Sequence, residues 1–305
     1  MVTFVTLLAS ATKTLSDAHL PNAHLPDAQR EARLLLQHAS GLDSTALLLA
    51  ENDPVSQNTA RLFEAYIQRR LSGEPVFRII GRREFHGMDF HLNAETLEPR
   101  DDTETLVEAV LAQIEDRNQP LRFADIGTGT GIIPISLLAE LGSATAFATD
   151  TASHACEAAR MNGEKLGYAS RLTVVEGNWF EPLCTQGDQA GQGSPFDFIV
   201  SNPPYIATNV VDGLSPEVLQ HDPRRALDGG EDGLDAYRVL LDGAAKHLNP
   251  HGFLALEIGF DQKDSVIDLA RTKGWALLAA QKDLGGQDRA LIFAPREQVH
   301  RLNKM

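Results

Sequence analysis

From about residue 103 onward, short apolar segments alternate with amphipathic segments, and this alternation constrains the fold more than any other feature. The apolar segments have the length of strands, and the segments between them have helical periodicity. Strands that are apolar throughout and alternate with helices are typical of a parallel sheet covered on both faces. The sequence therefore predicts an α/β domain, a doubly wound parallel sheet, whose ligands bind at the carboxyl ends of the strands.

The predicted elements follow one another closely along this domain, which we assign to residues 103–305. The predicted strands are 121–126, 144–149, 172–175, 196–201, 252–258, 275–281 and 289–294. The predicted helices are 103–114, 132–141, 153–166, 235–248 and 262–273. Residues 186–194 are rich in Gly, Gln and Ser, and this composition predicts a surface loop.

Residues 1–75 show a different pattern, because their apolar residues recur at helical spacing in 28–38, 46–49 and 57–71. We predict a small N-terminal helical bundle that binds the substrate. Residues 4–11 have the small-residue end of a signal peptide but no basic start, so we expect an amphipathic first helix. Residues 76–81 and 85–92 are short and rich in β-forming residues, which predicts a β-hairpin within a linker of residues 76–102.

The charge balance limits the classes of partner. The chain has 42 acidic and 27 basic residues and a formal net charge of −15, whereas nucleic-acid binding through many phosphates favours a basic surface. Its two cysteines, Cys156 and Cys184, lack the clustered spacing of a zinc site and are expected to be reduced thiols. We expect a cytoplasmic, monomeric enzyme without a metal, a nucleic-acid partner or a membrane partner.

A glycine-rich loop follows the first predicted strand of the sheet. Gly-Thr-Gly-Thr-Gly occupies residues 127–131, and Asp125 lies two residues before it. Glycines permit a tight turn and close approach of a ligand. The dinucleotide fingerprint has another glycine spacing, and a carboxylate at this place would repel a pyrophosphate. S-adenosylmethionine carries an ammonium and a sulfonium and no phosphate, so it is favoured over a nicotinamide cofactor. The candidate cofactor-binding residues here are Asp125, Gly127, Thr128, Gly129, Thr130 and Gly131.

The next two predicted strands also end in polar or aromatic residues. Asp150 ends the second strand, where an acid accepts hydrogen bonds from both ribose hydroxyls of an adenosine. Asn178 and Trp179 follow the third strand, where an indole could lie against adenine and an amide could pair with its edge. These three residues extend the predicted cofactor site.

The sequence Asn202-Pro203-Pro204-Tyr205 directly follows the fourth predicted strand and is the most specific signal in the chain. Two prolines fix the backbone and leave its carbonyls free. A planar NH2 group could donate to the Asn202 side-chain oxygen and the Pro203 carbonyl, and the Tyr205 ring could stack on it. Holding both hydrogens turns the nitrogen lone pair toward a methyl donor, so alignment replaces a strong general base. Asn202, Pro203 and Tyr205 are the candidate catalytic residues, and Pro204 completes the candidate substrate site.

These motifs together resemble class I amino methyltransferases, and the resemblance is closest to the glutamine-N5 methyltransferases of the HemK/PrmC family. Three further segments, 73–87, 97–108 and 223–237, are similar to segments of that family. The resemblance implies a Rossmann-like, mostly parallel sheet with an antiparallel last strand. It implies S-adenosylmethionine as cofactor and the glutamine of the Gly-Gly-Gln motif in class 1 peptide-chain release factors as substrate. Asn202 would contact the cofactor as well as the glutamine amide.

Three alternatives stay open at this stage: a ribosomal-protein glutamine methyltransferase, an N6-adenine methyltransferase of nucleic acids, and a binding protein without turnover. The residues 97–108 disfavour the first, the net charge disfavours the second, and intact Asn202 and Tyr205 disfavour the third. The chain departs from the family pattern at Arg78, Asp101 and Asn178, where relatives usually have tyrosine, proline and an acid. We expect altered docking at the first, a looser loop at the second and weaker adenine binding at the third.

Overall fold

A computed structural model describes residues 2–18, 28–94, 96–185 and 195–297. The chain divides into two compact units. The first, which we call the helical unit, comprises Met1–Arg82 together with Gly213–Asp222. The second, which we call the sheet unit, comprises Arg83–Asp212 and Pro223–Met305. The predicted loop at 186–194 lies outside the described residues. Within the described part of the chain, none of the helices is long and apolar enough to cross a membrane.

Five helices of the first segment pack around one apolar core in the helical unit. Leu35, Leu36, Phe63 and Ile67 are buried there, at the spacing that the sequence predicts. The side chain of Asp43 accepts a hydrogen bond from the Ala46 amide at 2.8 Å and caps one of the helices. The five helices are Phe4–Asp17, Ala28–Ser40, Ser44–Leu49, Gln57–Leu71 and Val76–Ile80.

The fifth helix corrects the prediction of a strand at residues 76–81, which is wrong. Val76 and Ile79 lie one helical turn apart, and both are buried in the helical core, so packing outweighs the β propensity of these residues. The hairpin comprises β1 (Arg82–Phe85) and β2 (Met88–His91). Its two-residue turn, His86-Gly87, has positive φ at both positions, which is typical of the type I′ hairpin turn.

Ion pairs join the second segment of the helical unit, Gly213–Asp222, to the helices of the first segment. Arg70 Nε lies 2.9 Å from Glu31 Oε2, and Arg70 Nη1 lies 2.6 Å from Glu217 Oε1. Arg78, at a departure from the family pattern, lies 2.8 Å from Asp222. The short helix Pro216–His221 carries Glu217, and the sequence analysis did not predict it. Ion pairs from two arginines, whose side chains are 2% and 7% exposed, therefore attach residues 213–222 to the helices.

The sheet unit contains the predicted α/β fold. Its seven strands have the order β5-β4-β3-β6-β7-β9-β8. β3 to β7 pair in parallel, and β9 runs antiparallel to both of its neighbours. The prediction of a mostly parallel sheet with an antiparallel last strand is confirmed. The strands are β3 (Arg122–Ile126), β4 (Thr145–Asp150), β5 (Leu172–Glu176), β6 (Phe196–Ser201), β7 (Leu248–Glu257), β8 (Trp275–Lys282) and β9 (Asp288–Pro295).

Helices cover both faces of this sheet because successive side chains of each strand alternate between two cores. On one face the rings of Phe123, Phe198 and Phe253 stack, with centroids 4.6 and 5.2 Å apart. Their neighbours Ala124 and Ile199 belong to the core on the other face. The longer helices of the unit are Glu104–Leu111, Ile132–Glu140, Ser153–Lys165, Asp235–Gly243 and Lys263–Thr272, and two short ones are Glu181–Thr185 and Thr208–Val211.

The strand order creates a switch point between β3 and β6. From β3 the chain adds β4 and β5 on one side, and it then crosses to add β6 and β7 on the other side. The loops after β3 and β6 therefore separate and leave a crevice at the carboxyl ends of the strands. Both sequence motifs, the glycine loop and Asn-Pro-Pro-Tyr, lie in these two loops.

Candidate functional site

An open cavity of the sheet unit lies at the carboxyl ends of β3 to β6, and its empty space, mouth included, is about 1000 Å³. Residues after four different strands line this cavity, so the fold brings together most of the predicted site. The predicted residues that line it are Gly127, Thr128, Gly129, Thr130, Asp150, Asn178, Trp179, Asn202, Pro203 and Pro204. Asp125, Gly131 and Tyr205 do not line it, but each lies within two residues of one that does.

The glycine loop turns tightly from β3 into the helix Ile132–Glu140. Gly127, Gly129 and Gly131 all have positive φ, at 81°, 55° and 79°, which favours glycine at each position. A Cβ at Gly127 or Gly129 would meet open space, whereas one at Gly131 would lie 3.1 Å from Ala159 Cβ. The first two glycines therefore leave room for a ligand, and the third permits close helix packing.

Asp125 lies beneath this loop and is completely buried. Both oxygens of its carboxylate lack a hydrogen-bond partner in the described part of the chain. Burial raises the pKa of Asp125 to about 7, and the charge of Asp150 adds to the rise; the Thr128 hydroxyl opposes it. A buried acid without a partner is unfavourable in the free protein, and a ligand that bears a cation would relieve it.

Asp150 lies at the end of β4 and fixes the loop from the side. Its Oδ2 accepts a hydrogen bond from the Gly129 amide at 2.9 Å, and its Oδ1 accepts one from the Ala152 amide at 2.9 Å. Each carboxylate oxygen has a second lone pair. Asp150 therefore holds the glycine loop and still has acceptor capacity on the cavity.

Trp179 lies after β5 with a positive φ of 47°, which is rare for a residue with a bulky side chain. The Thr149 hydroxyl donates to its backbone carbonyl at 3.2 Å and so supports this conformation. The Asn178 side-chain amide donates to Glu181 at 3.4 Å, which leaves its oxygen free of that contact. A strained backbone at a cavity is typical of ligand-binding positions.

Two hydrogen bonds position the loop after β6. The Ser201 hydroxyl donates to the Ile126 carbonyl at 2.5 Å and ties the end of β6 to β3. The Asn202 amide nitrogen donates to the Thr103 hydroxyl oxygen at 3.3 Å. This hydrogen bond directs the nitrogen of the Asn202 amide away from a ligand and leaves Oδ1 as an acceptor.

The segment after Pro223 packs against the Asn-Pro-Pro-Tyr loop. The Ile206 amide donates to the Leu227 carbonyl at 2.9 Å, and the Gly229 amide donates to the Ile206 carbonyl at 2.8 Å. A Cβ at Gly229 would lie 2.8 Å from Tyr205 Cα, so this position has no room for a side chain. The backbone of this segment and the Asn-Pro-Pro-Tyr loop therefore pack closely against each other.

Tyr205 contacts a residue that the sequence analysis did not select. Its hydroxyl donates to Glu257 Oε1 at 3.5 Å, and Glu257 itself is 1% exposed. Burial raises the pKa of Glu257 to about 7 against the opposing interactions with Thr103 and Arg289. The stacking of the Tyr205 ring on a substrate stays a prediction.

Sequence reasoning missed three residues at the site, Glu257 among them. Glu257 is the last residue of β7, and an acid at the end of an apolar strand is the signal that selected Asp150. Thr103 is hidden within the segment 97–108, where charged residues dominate. Asn162, on the helix Ser153–Lys165, donates to the Thr130 carbonyl at 2.9 Å from a buried position that no sequence pattern marks.

Asp101, at the position where a proline was expected, begins a short 3-10 helix, Asp101–Thr103, directly after the loop of residues 97–100. Arg83 donates to Asp101 Oδ1 at 2.8 Å and to Glu98 Oε1 at 2.6 Å. Pro99 and Arg100 of the same loop line the cavity. Among the residues that the structure describes, no group of three or more His, Cys, Asp or Glu side chains could hold a metal ion.

Comparisons with known proteins match both units. The model of the PrmC N-terminal domain matches residues 6–81, and the model of the methyltransferase small domain matches residues 101–231. A release factor glutamine methyltransferase of Agrobacterium fabrum is 42% identical over 287 residues, which are 93% of this chain and 96% of the relative. One of Moorella thermoacetica is 42% identical over 269 residues, 88% of this chain and 92% of the relative.

Among solved structures, the hMettl16 catalytic domain in complex with the MAT2A 3'UTR hairpin 6 has a TM-score of 0.53. The match covers 75% of this chain and 81% of that chain at 16% sequence identity. At this identity the similarity concerns the fold alone. Together with the strand order and the methyltransferase small domain, it identifies the sheet unit as a class I S-adenosylmethionine-dependent methyltransferase fold.

Proposed function

Because the chain belongs to the release factor glutamine methyltransferase family, we propose that it methylates release factors on a glutamine side chain. The methyl group comes from S-adenosylmethionine and goes to the amide nitrogen N5 of the glutamine in the Gly-Gly-Gln motif of class 1 peptide-chain release factors. The observation that carries this proposal is the Asn-Pro-Pro-Tyr loop on the cavity, with the Asn202 amide fixed by Thr103 beside the glycine loop.

The residues around the glycine loop fit the cofactor by their chemistry. Asp125 has unpaired, buried carboxylate oxygens that suit the cationic amino-acid end of the ligand, and open space lies over Gly127 and Gly129. Asp150 has acceptor capacity for ribose hydroxyls, and Trp179 offers a flat face at the next strand end. When bound there, S-adenosylmethionine supplies an electrophilic methyl group and leaves as S-adenosylhomocysteine.

The Asn-Pro-Pro-Tyr loop orients the glutamine amide of the substrate. An amide nitrogen is a weak nucleophile because its lone pair is delocalised into the carbonyl. The Asn202 Oδ1 and the Pro203 carbonyl accept its two hydrogens, while Pro204 stiffens the loop. Two acceptors also stabilise the positive charge that grows on this nitrogen during transfer. A neutral acceptor pair can therefore promote the reaction without a strong base.

The substrate of the family fits the composition of this chain. A protein loop does not require the basic surface that a nucleic acid would, and the chain carries a net charge of −15. The helical unit, which matches the PrmC N-terminal domain, is the part that we assign to gripping the release factor. Action as a monomer in the cytoplasm, where translation terminates, belongs to the same proposal.

The test is a methylation assay with the purified chain, S-adenosylmethionine and a purified class 1 release factor. Mass spectrometry of the tryptic peptide that contains Gly-Gly-Gln should show the mass of one added methyl group. A release factor with alanine in place of that glutamine should not be modified. Absence of the methyl group on the intact motif would overturn the proposed function, and methylation of duplex DNA or of a ribosomal protein instead would redirect it.

Asn202→Ala separates catalysis from folding in the same assay. We expect transfer to fall by about 100- to 1000-fold, the range observed when one positioned hydrogen-bonding group is removed from an active site. Asn118→Ala, at an exposed turn of the sheet unit, is the matched control and should retain full activity. Full activity of Asn202→Ala would contradict the assigned role of the loop.

A further inference from the structure

The side-chain amide of Gln262, in the loop after β7, joins four parts of the sheet unit. Its Nε2 atom donates to the Tyr205 carbonyl at 2.8 Å and to the Gly233 carbonyl at 3.2 Å. Its Oε1 atom accepts from the Gly259 amide at 3.0 Å and from the Tyr237 hydroxyl at 3.3 Å. Both hydrogens and both lone pairs of this amide are therefore used within the protein.

Backbone groups determine which end of the Gln262 amide faces which neighbour. The carbonyls of Tyr205 and Gly233 can only accept, and the N–H of Gly259 can only donate. A flipped amide would place its oxygen against two carbonyl oxygens and its NH2 group against an N–H. Glutamine fits here because it presents a donor at one end of the amide and an acceptor at the other.

The hydrogen bond between Gln262 and Tyr205 is closely packed on the side of Gly233. A Cβ at Gly233 would lie 2.5 Å from the Tyr205 carbonyl oxygen and 2.7 Å from Gln262 Nε2. The Tyr205 oxygen belongs to the backbone, so a side chain at Gly233 would have to move the loop itself. The three residues therefore share one contact that leaves little room for displacement.

This contact anchors the Asn-Pro-Pro-Tyr loop at its carboxyl end. Pro203 and Pro204 have no N–H, so no backbone donor of theirs can hold the loop. The Ser201 hydroxyl ties the amino end of the loop to β3, and Gln262 holds the Tyr205 carbonyl at the other end. Because the two prolines restrict the backbone between these anchors, a shift of the Tyr205 carbonyl also shifts the Pro203 carbonyl.

We propose that Gln262 is a positioning residue, which holds the Tyr205 carbonyl and thereby keeps the Pro203 carbonyl where it accepts a hydrogen of the substrate amide. This inference rests on the proposed function, because it assigns to Gln262 the preparation of that acceptor. Gln262 does not line the cavity, so it acts through the loop and not by touching the glutamine or the cofactor. A displacement of about 1 Å from the reactive geometry can lower a rate by about 100-fold.

Three variants disturb the Tyr205 carbonyl in different ways. Gln262→Met keeps the length of the side chain and removes its hydrogen bonds, so Tyr205 loses its donor. Gly233→Ala places a methyl group against the Tyr205 oxygen and leaves the Gln262 amide in the chain. Gln262→Glu keeps an acceptor for the Gly259 amide but turns a second acceptor toward the two carbonyls. It therefore separates support of the turn after β7 from support of the loop.

Two control variants carry the same kind of substitution without a contact to the loop. Gly167 and Gly233 have positive φ values of 86° and 73°, so alanine strains the backbone at both positions. A Cβ at Gly167 would meet open space, which makes Gly167→Ala the control for Gly233→Ala. Asn249→Leu is the control for Gln262→Met, because the Asn249 amide donates to Asp197 at 2.7 Å near the start of β7.

The measurements are kcat and KM for release factor methylation at a temperature where every variant is folded, S-adenosylhomocysteine affinity by calorimetry, and thermal unfolding. We expect kcat to fall about 10- to 100-fold in Gln262→Met, Gln262→Glu and Gly233→Ala, the range for a misplaced catalytic group. S-adenosylhomocysteine affinity should change less than about twofold, because the contact lies outside the predicted cofactor residues. Both controls should lower the temperature of unfolding but keep kcat within about twofold of the original chain.

A double variant gives a readout that a purely structural role would not move. Gln262→Met and Gly233→Ala displace the same carbonyl, so their effects on kcat should overlap. The combined decrease in kcat should be at least about threefold smaller than the product of the two single decreases. Gln262→Met combined with Gly167→Ala should show the full product, because the two positions do not share a contact.

Hydrogen exchange of a peptide that covers residues 203–210 reports on the loop without catalysis. The Ile206 amide donates to the Leu227 carbonyl at 2.9 Å, and it should exchange about 10-fold faster in Gln262→Met and Gly233→Ala than in the two controls. If the unaltered chain does not methylate the release factor, the proposed function fails, and the exchange rates alone decide whether Gln262 anchors the loop.

The remaining outcomes concern only this inference. If the unaltered chain is active and both Gln262→Met and Gly233→Ala keep its kcat, the positioning role is overturned. Full kcat in Gln262→Glu would overturn it too, because that variant keeps only the acceptor. Equal decreases in kcat and in S-adenosylhomocysteine affinity would instead show a general disturbance of the site. If Gln262→Met does not fold, Gly233→Ala compared with Gly167→Ala still decides.

Discussion

In the helical unit the buried charged groups face partners of opposite sign, whereas two buried acids of the sheet unit have oxygens without a partner. Arg70 lies between Glu31 and Glu217, with 2% of its side chain exposed, and Arg78 is paired with Asp222. Asp125 and Glu257 are equally buried, but their pKa values are raised to about 7 by the loss of water. In the helical unit an ion-pair partner offsets the cost of burying the charge, and at these two acids of the sheet unit no such partner does.

This difference separates two uses of charge. A buried ion pair whose partners are all within the protein holds segments in a defined arrangement, here 213–222 on the helices. A buried acid with free lone pairs raises the free energy of the folded protein, so it is expected where a ligand or a neighbouring group depends on it. Both unpaired acids lie next to the cavity loops, one below the glycine loop and one behind Asn-Pro-Pro-Tyr.

The largest effect is expected from removing Arg70, which would leave the partly buried acids Glu31 and Glu217 near each other without a cation. Arg70→Met should lower the free energy of unfolding of the helical unit by about 3–5 kcal/mol, as measured by chemical denaturation. Arg69→Met is the matched control, because the neighbouring Arg69–Glu74 pair is 44% exposed on the arginine side and should contribute less than about 1 kcal/mol. Equal decreases in the free energy of unfolding in both variants would remove the contrast between the buried and the exposed arginine.

In the sheet unit, Asp125→Asn should change the free energy of unfolding in the opposite direction. Without the cofactor, at about pH 8, removal of an uncompensated charge should raise the free energy of unfolding by about 1–3 kcal/mol. Affinity for S-adenosylmethionine should fall about 10- to 100-fold, because the ammonium loses its counter-charge. Calorimetry measures both quantities on the same sample.

Asp197→Asn is the control for this variant, because each oxygen of the Asp197 carboxylate has a hydrogen-bond partner within the protein, whereas those of Asp125 have none. Asp197 Oδ2 accepts from the Arg122 amide and Asp197 Oδ1 from the Asn249 side chain, each at 2.7 Å. Asp197→Asn should lower stability by about 1–2 kcal/mol and leave cofactor affinity unchanged. A loss of stability in Asp125→Asn would break the comparison, since it would show that Asp125 is compensated.

The sequence predicted those parts of the molecule whose structure depends on residues that are neighbours along the chain. Several site residues could be recognised because they lie beside an apolar strand in the sequence itself. Asp150 and Asn202, for example, each come at the end of such a strand. The sheet itself was predictable because strand and helix periodicities alternate from residue 103 onward. Element bounds followed closely, as in β6, Phe196–Ser201, where prediction and structure coincide.

The features that were missed depend on contacts between distant parts of the chain. Val76–Ile80 is rich in β-forming residues, and only the helical core makes it a helix. The pairing of Arg70 with Glu217 joins residues 147 positions apart, and no pattern near either residue indicates it. Glu257 ends an apolar strand, but its contact with Tyr205, 52 positions away, depends on the fold. Tertiary partners decide whether a buried charge is paired, and a single sequence does not reveal them.

Stability as a function of pH should differ between the two units. Asp125 and Glu257 have raised pKa values in the folded protein, so the sheet unit binds more protons folded than unfolded between roughly pH 4.5 and 7. Its free energy of unfolding should therefore decrease as pH rises through that window. Glu74 of the helical unit has a lowered pKa because of its hydrogen bond with Arg69, so its stabilisation is lost only as pH falls below about 4.5.

Hydrogen exchange followed peptide by peptide measures each unit separately. Between about pH 8 and pH 6, the free energy of unfolding of the sheet unit without cofactor should rise by about 2–3 kcal/mol, while that of the helical unit should change little. In a chain with both Asp125→Asn and Glu257→Gln the gain should disappear. A similar gain in both units would mean that the two acids are not its source.

The smallest effect is expected from Tyr205→Phe, which removes one long hydrogen bond to Glu257 and keeps the ring. At 3.5 Å this bond is weak, so kcat at neutral pH should fall only about two- to fivefold. Tyr205→Leu should be more severe if the ring also stacks on the substrate amide. Equal kcat values for the two variants would instead assign the role of Tyr205 to its hydroxyl alone, which donates to Glu257.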